Sequence, residues 1–387
     1  MASVTSYDTR GYNNMIASRP RTVAYLDALR QAITPGSVVV EIGTGTGLFA
    51  CLACQLGASR VYAIEPAEII EIAKAVAVEN GWGRRIHFVQ DVSTGVELSE
   101  KADVIISDLR GVLPMLGTHI PSVIDARERL LAANGILMPR RDELWMTLVE
   151  SERLYASHSA SQISPEYPQD LSVLNRVLAN GWSKQRVRVD ECVAVPQRTG
   201  VIDYQTVASP NICMLGKWTL DRACTIHGIA SWFDAEIVEG IGFSNAPSAP
   251  EVLYGHAFFP METPLNAHFG DVVVVELEAF LVDGEYQWRW KTALFDPDFP
   301  PEPKAASTQS SLSGAVFALE RLRRKADDYI PPPPRDRDVV VFSLECADGG
   351  TSLGEIAHKL LKRFPGRFKD WKDSFSFVAE VIDKAQT

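Results

Sequence analysis

The sequence predicts an α/β protein with a doubly wound parallel sheet, an antiparallel β-barrel domain after it, and a small C-terminal helical or winged-helix unit. Three observations carry this. Short buried strands alternate with helices over residues 1–141, the pattern of a parallel sheet covered on both faces. Short alternating strands punctuated by Gly, Pro and Asn dominate residues 142–298, as in a barrel or sandwich. A Pro- and Ser-rich stretch reads as a linker over 299–314, and residues 315–387 form a further small unit.

In the first region, "PRTVAYLDALRQAIT" (20–34) places Val23, Tyr25, Leu26, Leu29 and Ile33 on one broad helical face. "SVVVEIG" is a buried strand and "LFACLACQLGA" a helix stopped at Gly57. "RVYAIE" is the second strand, and "EIIEIAKAVAVENG" the second helix of the alternation, stopped at Gly81. "IHFVQD" and "ADVIISD" are further strands. "IPSVIDARERLLAANG" is predicted helical throughout, followed by the strand "ILMP".

The later strands are "ELWMTLVES", "GVIDYQTV", "KWTLDRA", "GIASWFDAEIV", "DVVVVELEAFLV" and "QWRWKTALF". In the last unit, "TSLGEIAHKLLKRFP" has Ser352 and Glu355 in capping-box spacing. Leu353, Ile356, Leu360, Leu361 and Phe364 form its apolar stripe.

The net charge of −11 argues against a broad electrostatic footprint for nucleic acid or an anionic membrane. The first residues lack a signal-peptide core, and no run of 18 apolar residues occurs. A cytoplasmic location is the expectation. Six cysteines are scattered through the chain, so no disulfide framework is implied. Cys51 and Cys54 form a C-x-x-C, but their helical apolar context reads as core rather than a metal or redox site.

"VVVEIGTGTGLFACLA" is the most informative stretch. A strand ends in Glu41, then Gly43, Thr44, Gly45 and Gly47 form a glycine-rich turn before a helix. Glycine lets backbone turn sharply and approach a ligand closely. Dinucleotide enzymes use a related turn with different spacing and a pyrophosphate at the helix N-terminus. Here a second acid, Glu65, ends the next strand, suited to both ribose hydroxyls. A third, Asp91, ends the one after, suited to an adenine amine. A nucleoside without a pyrophosphate needs this row of acceptors, which favours S-adenosylmethionine as cofactor.

On these residues the chain, over roughly 12–298, resembles the protein arginine methyltransferases, with a Rossmann-like cofactor domain. "MIASRPRTVAYLDAL" resembles the family's N-terminal helix. The resemblance implies that Met15 lies near the sulfonium and Arg21 grips the cofactor carboxylate. "VVVEIGTGTG" and "AIEPAEI" match the cofactor loop and ribose acid, and Ser93 and Thr94 match adenine contacts. "GIASWFDAEI" and "GFSNAPSAP" resemble strands of the family's β-barrel.

Two departures follow. The family's substrate loop carries two glutamates that flank a guanidinium. Here the first position is Asp108, the candidate catalytic carboxylate, and the second falls at Gly117. Arg110 lies in the same loop, as a substrate anion contact or a salt-bridge partner of Asp108. A Thr-His-Trp triplet is replaced by Val252, Leu253 and Tyr254, with Tyr254 a candidate substrate residue and His256 two positions on.

The expected activity is methyl transfer to a nitrogen nucleophile. Arginine in a protein, a peptide or free form is the acceptor the resemblance implies. A repurposed small-molecule N- or O-methyltransferase and a cofactor-binding adaptor are the alternatives. The resemblance also implies a homodimer, with an arm placed within 155–185. "TSLGEIAHKLLKRFPGRF" resembles small winged-helix peptide-recognition domains; a packing or oligomerisation appendage is the alternative.

Overall fold

The computed structural model describes residues 9–159, 172–297, 302–316, 323–324, 326–332 and 336–386. They divide into two compact units, Met1–Val316 and Phe317–Thr387.

The first unit opens with helices α1 (Thr9–Ala17) and α2 (Arg19–Ala32). Pro20 sits in the first turn of α2, where its missing N–H costs nothing. The parallel sheet follows as β1 (Val38–Ile42), β2 (Arg60–Ile64), β3 (Ile86–Val89), β4 (Ala102–Ser107) and β5 (Leu131–Met138). Helices α3 (Leu48–Gln55), α4 (Ile70–Glu79) and α5 (His119–Arg129) connect them. The strand order is β3-β2-β1-β4-β5. The chain therefore reverses its winding between β1 and β4, so the carboxyl ends of those two strands form the crevice in which such sheets bind ligands.

The predicted helix over 120–135 is corrected here. It stops at Arg129, and "LAANG" already belongs to β5. Helical periodicity continued in the letters, but Leu131 pairs with Ala102, and that sheet contact decides the conformation.

Residues 141–310 build two antiparallel sheets. One contains β6 (Arg141–Val149), β7 (Ser183–Gln185), β8 (Gln197–Asp203), β10 (Cys224–Val238), β11 (Ile241–Ser244) and β12 (His256–Ala267). The other has the order β15-β14-β13-β9, from β9 (Ile212–Thr219), β13 (Val272–Val282), β14 (Glu285–Phe295) and β15 (Pro303–Ser310). Of the barrel or sandwich expected here, the described residues form two antiparallel sheets, with no closed barrel among them. Phe259, Trp288 and Trp290 meet between them, with ring centroids 5.1 and 5.4 Å from Phe259.

The linker expected over 299–314 is also corrected. Residues 303–310 are a strand whose register runs along β14, so a polar composition was mistaken for slack chain. Strand β12 had no sequence counterpart because Pro260 and Pro264 interrupt it. Pro260 pairs with Gly228 beside a register shift, the place where a sheet tolerates proline. Helix α2 packs on β10 and β11, which joins the parallel sheet to the antiparallel region within this unit.

The arm expected within 155–185 lies partly outside the described residues. The described part holds a short helix, Glu152–Tyr155, a 3₁₀ turn, Ala156–His158, and the helix Ser172–Ala179.

The described residues of the second unit include the helices Arg337–Cys346, Leu353–Arg363 and Trp371–Gln386. They enclose a core of Val339, Ile356, Ala357, Leu360, Phe368 and Val378. The Ser352–Glu355 capping box forms, with Glu355 N–H on Ser352 Oγ at 3.3 Å. No strand, and so no wing, occurs among the described residues of this unit. No helix among the described residues is long and apolar enough to cross a membrane.

Candidate functional site

Gly43, Gly45 and Gly47 have φ of 73°, 53° and 78°, the left-handed region that only glycine enters without cost. They fold the chain tightly from β1 into α3. A Cβ on Gly45 would lie 2.8 Å from the Tyr12 ring, so α1 lies directly against this turn. A Cβ on Gly43 would strike Leu109, which joins the turn to the end of β4.

Glu41 is buried and accepts a 2.6 Å bond from Thr44 Oγ1. Burial pushes its carboxyl up to about 8 against the opposing pull of that bond. Glu65, at the end of β2, is also buried. Its two oxygens accept N–H bonds from Gly45 and Ala67, each at 3.1 Å. Burial raises its pKa, and those two donors oppose the rise. Asp91 follows β3 and is exposed, with one oxygen accepting from Val92 N–H at 2.7 Å. Ser93 is buried in the next 3₁₀ turn, while Thr94 is exposed. The three predicted acids thus stand at the carboxyl ends of β1, β2 and β3, around the glycine turn.

Met15 lies half-buried in the last turn of α1, and its carbonyl accepts from Arg21 Nη1 at 3.3 Å. Arg21 Nε donates to Asp108 Oδ2 at 2.5 Å and to Tyr254 Oη at 3.1 Å. Tyr254 O–H donates to the same Asp108 oxygen at 2.9 Å. Arg110 Nη1 takes the other oxygen, Oδ1, at 2.8 Å. Burial would raise the Asp108 pKa, but Arg21 and Arg110 outweigh it and hold the carboxyl at about 2. Asp108 is therefore a fixed anion.

Arg110 corrects the expectation that it contacts a substrate anion. Its side chain has no exposed area. Nε and Nη2 form a fork on Asp142 at 2.8 and 3.0 Å, and Nη1 also donates to Tyr25 Oη at 2.9 Å. Tyr204 O–H adds a 2.6 Å bond to Asp142, and His119 Nε2 lies 3.0 Å from Tyr204 Oη. Burial, then Arg110, lowers His119 to about 3, so the ring is neutral. Salt-bridge partnership with Asp108 was the alternative, and the geometry has it.

Sequence reasoning missed Asp142, Tyr204, Tyr25 and His119 in this network. A signal existed for one of them. Asp142 shares strand parity with Leu144, Met146 and Leu148, all buried, so an acid stood on an apolar face. His256 is buried, and its Nδ1 accepts from Val187 N–H at 2.9 Å.

Cys51 and Cys54 are free thiols whose pKa burial raises, Cys54 to about 11. Among the described residues no cluster of His, Cys, Asp or Glu could hold a metal ion. A groove of about 570 Å³ opens between Trp218 and Trp232. Trp232 and Phe233 alternate along β10, and Phe233 lies under Arg110 at 5.7 Å, so the groove is on the opposite face from this network.

Residues 18–161 match the family model described as ribosomal protein L11 methyltransferase. Probable protein arginine N-methyltransferase 6 of Arabidopsis thaliana is 29% identical over 248 residues, covering 62% of this chain. The match spans only 55% of that relative's length. Arginine N(omega)-methyltransferase of Streptomyces achromogenes subsp. streptozoticus is 26% identical over 272 residues, 68% of this chain and 74% of the relative. The fold matches a crystal structure of Arabidopsis thaliana protein arginine methyltransferase 10, with TM-score 0.67 and 20% identity over 79% of this chain and 98% of that one. With its glycine turn, its ordered strand-end acids and the antiparallel region that follows, the chain is similar to the protein arginine methyltransferases in sequence and shares their fold.

Proposed function

We propose that this chain is an S-adenosylmethionine-dependent methyltransferase that methylates a nitrogen nucleophile, in a protein, a peptide or a small molecule. One observation carries it most. The buried Glu65 carboxylate is clamped by the N–H groups of Gly45 and Ala67 beside a turn of left-handed glycines, with Asp91 at the next strand end. This donor and acceptor set suits a nucleoside rather than a pyrophosphate.

Bound S-adenosylmethionine supplies an electrophilic methyl on its sulfonium. Glu65 would accept from the ribose hydroxyls and Asp91 from the adenine amine, with Ser93 and Thr94 beside it. Gly43, Thr44, Gly45 and Gly47 bring backbone close to the nucleoside. Glu41, through its bond to Thr44, shapes the turn. Arg21 uses Nε on Asp108 and Nη1 on Met15, which leaves Nη2 for the cofactor carboxylate. Orientation and water exclusion under α1 would supply most of the rate. Asp108 and Tyr254 form the wall on the acceptor side. Asp108 orients groups there as an anion; a carboxylate held near pKa 2 is a poor proton acceptor at neutral pH.

Titration calorimetry with S-adenosylhomocysteine tests the premise, and transfer of labelled methyl to arginine peptides, free arginine and cell lysate tests the activity. Absence of binding would sink the proposal. The adaptor reading is favoured by one observation, the three hydrogen bonds that already occupy Asp108. Binding with no transfer to any lysate component would select it. A cytoplasmic location and a homodimer belong to the same proposal, and sedimentation analysis tests the dimer.

A further inference from the structure

Resting on the S-adenosylmethionine reading, we propose that Arg129 is a positioning residue for the adenine end of the cofactor, so that the site selects a 6-aminopurine. Its side chain joins two elements far apart in sequence, the last turn of α5 and the turn Ser93–Gly95 that follows β3. Nε donates to Asp125 Oδ1 at 2.9 Å and Nη2 to Oδ2 at 2.8 Å, a fork that fixes the guanidinium plane. The same Nη2 donates to Ser93 O at 2.7 Å, and Nη1 donates to Val96 O. Four of the five guanidinium N–H groups are thereby used, two of them on the carbonyls that bracket the turn. A cation in the last turn of a helix ordinarily serves the helix dipole. Arg129 instead directs two donors at another element.

β3 is the outermost strand of the parallel sheet, so the turn after it has a neighbour on one side only. The turn's own backbone bonds are Gly95 N–H to Val92 O at 2.9 Å and Val96 N–H to Ser93 O at 3.3 Å. Asp91 moves with the turn, since a Cβ on Gly95 would lie 3.5 Å from both Asp91 carboxylate oxygens. The helix that carries Arg129 is itself braced. His119 Nε2 lies 3.0 Å from Tyr204 Oη, and Arg127 Nη1 donates to the carbonyls of Tyr204 and Val207, each at 2.9 Å. Arg129 therefore passes a fixed position from α5 to Asp91, the acceptor for the adenine amine. It acts through the carbonyls of the turn rather than on the purine. The Arg129 side chain is 36% exposed, so water can take both carbonyls when it is removed and the fold is retained.

The test uses the full chain and titration calorimetry with two ligands, S-adenosylhomocysteine and its analogue whose purine lacks the 6-amine. Failure of wild type to bind either ligand would overturn the methyl-transfer reading itself, whereas a changed preference between them concerns Arg129 alone. Wild type should prefer the aminopurine by about tenfold, the usual loss when a donor to a carboxylate is removed. Arg129→Met should narrow that preference to about twofold, by weakening S-adenosylhomocysteine and leaving the analogue nearly unchanged. Arg129→Lys, which keeps the charge and lacks the planar fork, should fall between. Thermal unfolding without ligand checks the fold of each variant. A merely structural arginine would lower Tm, or weaken both ligands alike, and leave their ratio untouched. Equal affinity of wild type for the two ligands would overturn the proposal, as would a wild-type ratio in Arg129→Met. If Arg129→Met does not fold, Asp125→Ala decides, because it keeps Arg129 and removes the fork that orients it. That variant should narrow the ratio in the same direction, and an unchanged ratio would overturn the proposal.

Discussion

Arg110→Met should cost the first unit about 3–5 kcal/mol at neutral pH, the usual penalty for removing one member of a buried ion pair. Methionine keeps an unbranched apolar stem and removes the charged head. Asp142 then loses the fork at 2.8 and 3.0 Å and retains only the 2.6 Å bond from Tyr204. Asp108 keeps Arg21 and Tyr254. For a unit of this size each kcal/mol shifts Tm by roughly 2 °C, so a fall of roughly 6–10 °C is expected.

The pH dependence identifies the cause. Burial already raises the Asp142 pKa against the pull of Arg110. Without Arg110 it rises further. The folded state then binds a proton more readily than the unfolded state, so the variant gains stability as pH falls from the raised folded value toward the ordinary one near 4. Its deficit relative to wild type should be clearly smaller at pH 5 than at pH 8. Adding Asp142→Asn should recover much of the loss and abolish that pH difference. Urea denaturation followed by tryptophan fluorescence suits this, because seven of the eight tryptophans, all but Trp371, lie in the first unit. A loss under about 1 kcal/mol, or equal deficits at pH 5 and pH 8, would refute the claim that the pair is a buried, charged lock.

Three further outcomes are expected. Glu65→Ala should weaken S-adenosylhomocysteine binding at least about tenfold by calorimetry, because a charged acceptor to the ribose is lost; unchanged affinity would remove Glu65 from the site. Gly45→Ala should cost about 1–2 kcal/mol from its φ of 53°, and should also disturb Tyr12 and lower cofactor affinity, read by thermal shift with and without ligand. His256 is held at about 4 by burial and then by Arg186. Its folded state binds fewer protons than the unfolded state between pH 6.5 and 4, so stability falls with pH there, by about 2 kcal/mol at pH 5. His256→Asn keeps an acceptor for Val187 N–H and should flatten that part of the acid slope, leaving the contribution of His119.

The sequence by itself determined the parallel sheet and the glycine turn and strand-end acids of the proposed cofactor site. The period of apolar residues specifies strand or helix locally, and each of Glu41, Gly43, Gly45, Gly47, Glu65 and Asp91 sits a fixed step from a strand end. Such features need no distant partner to be legible. The capping box of Ser352 and Glu355 was readable for the same reason.

Only the tertiary structure decided the buried network around Asp108. Asp108 and Arg110 were visible as neighbours, but their partners come from residues 21, 25, 142 and 254, on α2, β6 and the segment before β12. From the sequence, Arg110 could be a substrate anion contact or a salt-bridge partner of Asp108. The Asp142 fork, closed only when β6 meets the loop after β4, turns it inward and fixes the charge of the buried network. Strand β15 shows the same limit in the backbone, since a polar stretch becomes a strand only when β14 presents its unpaired edge. Local periodicity is encoded in neighbouring letters, whereas the charge balance of a buried site belongs to residues that meet only after folding.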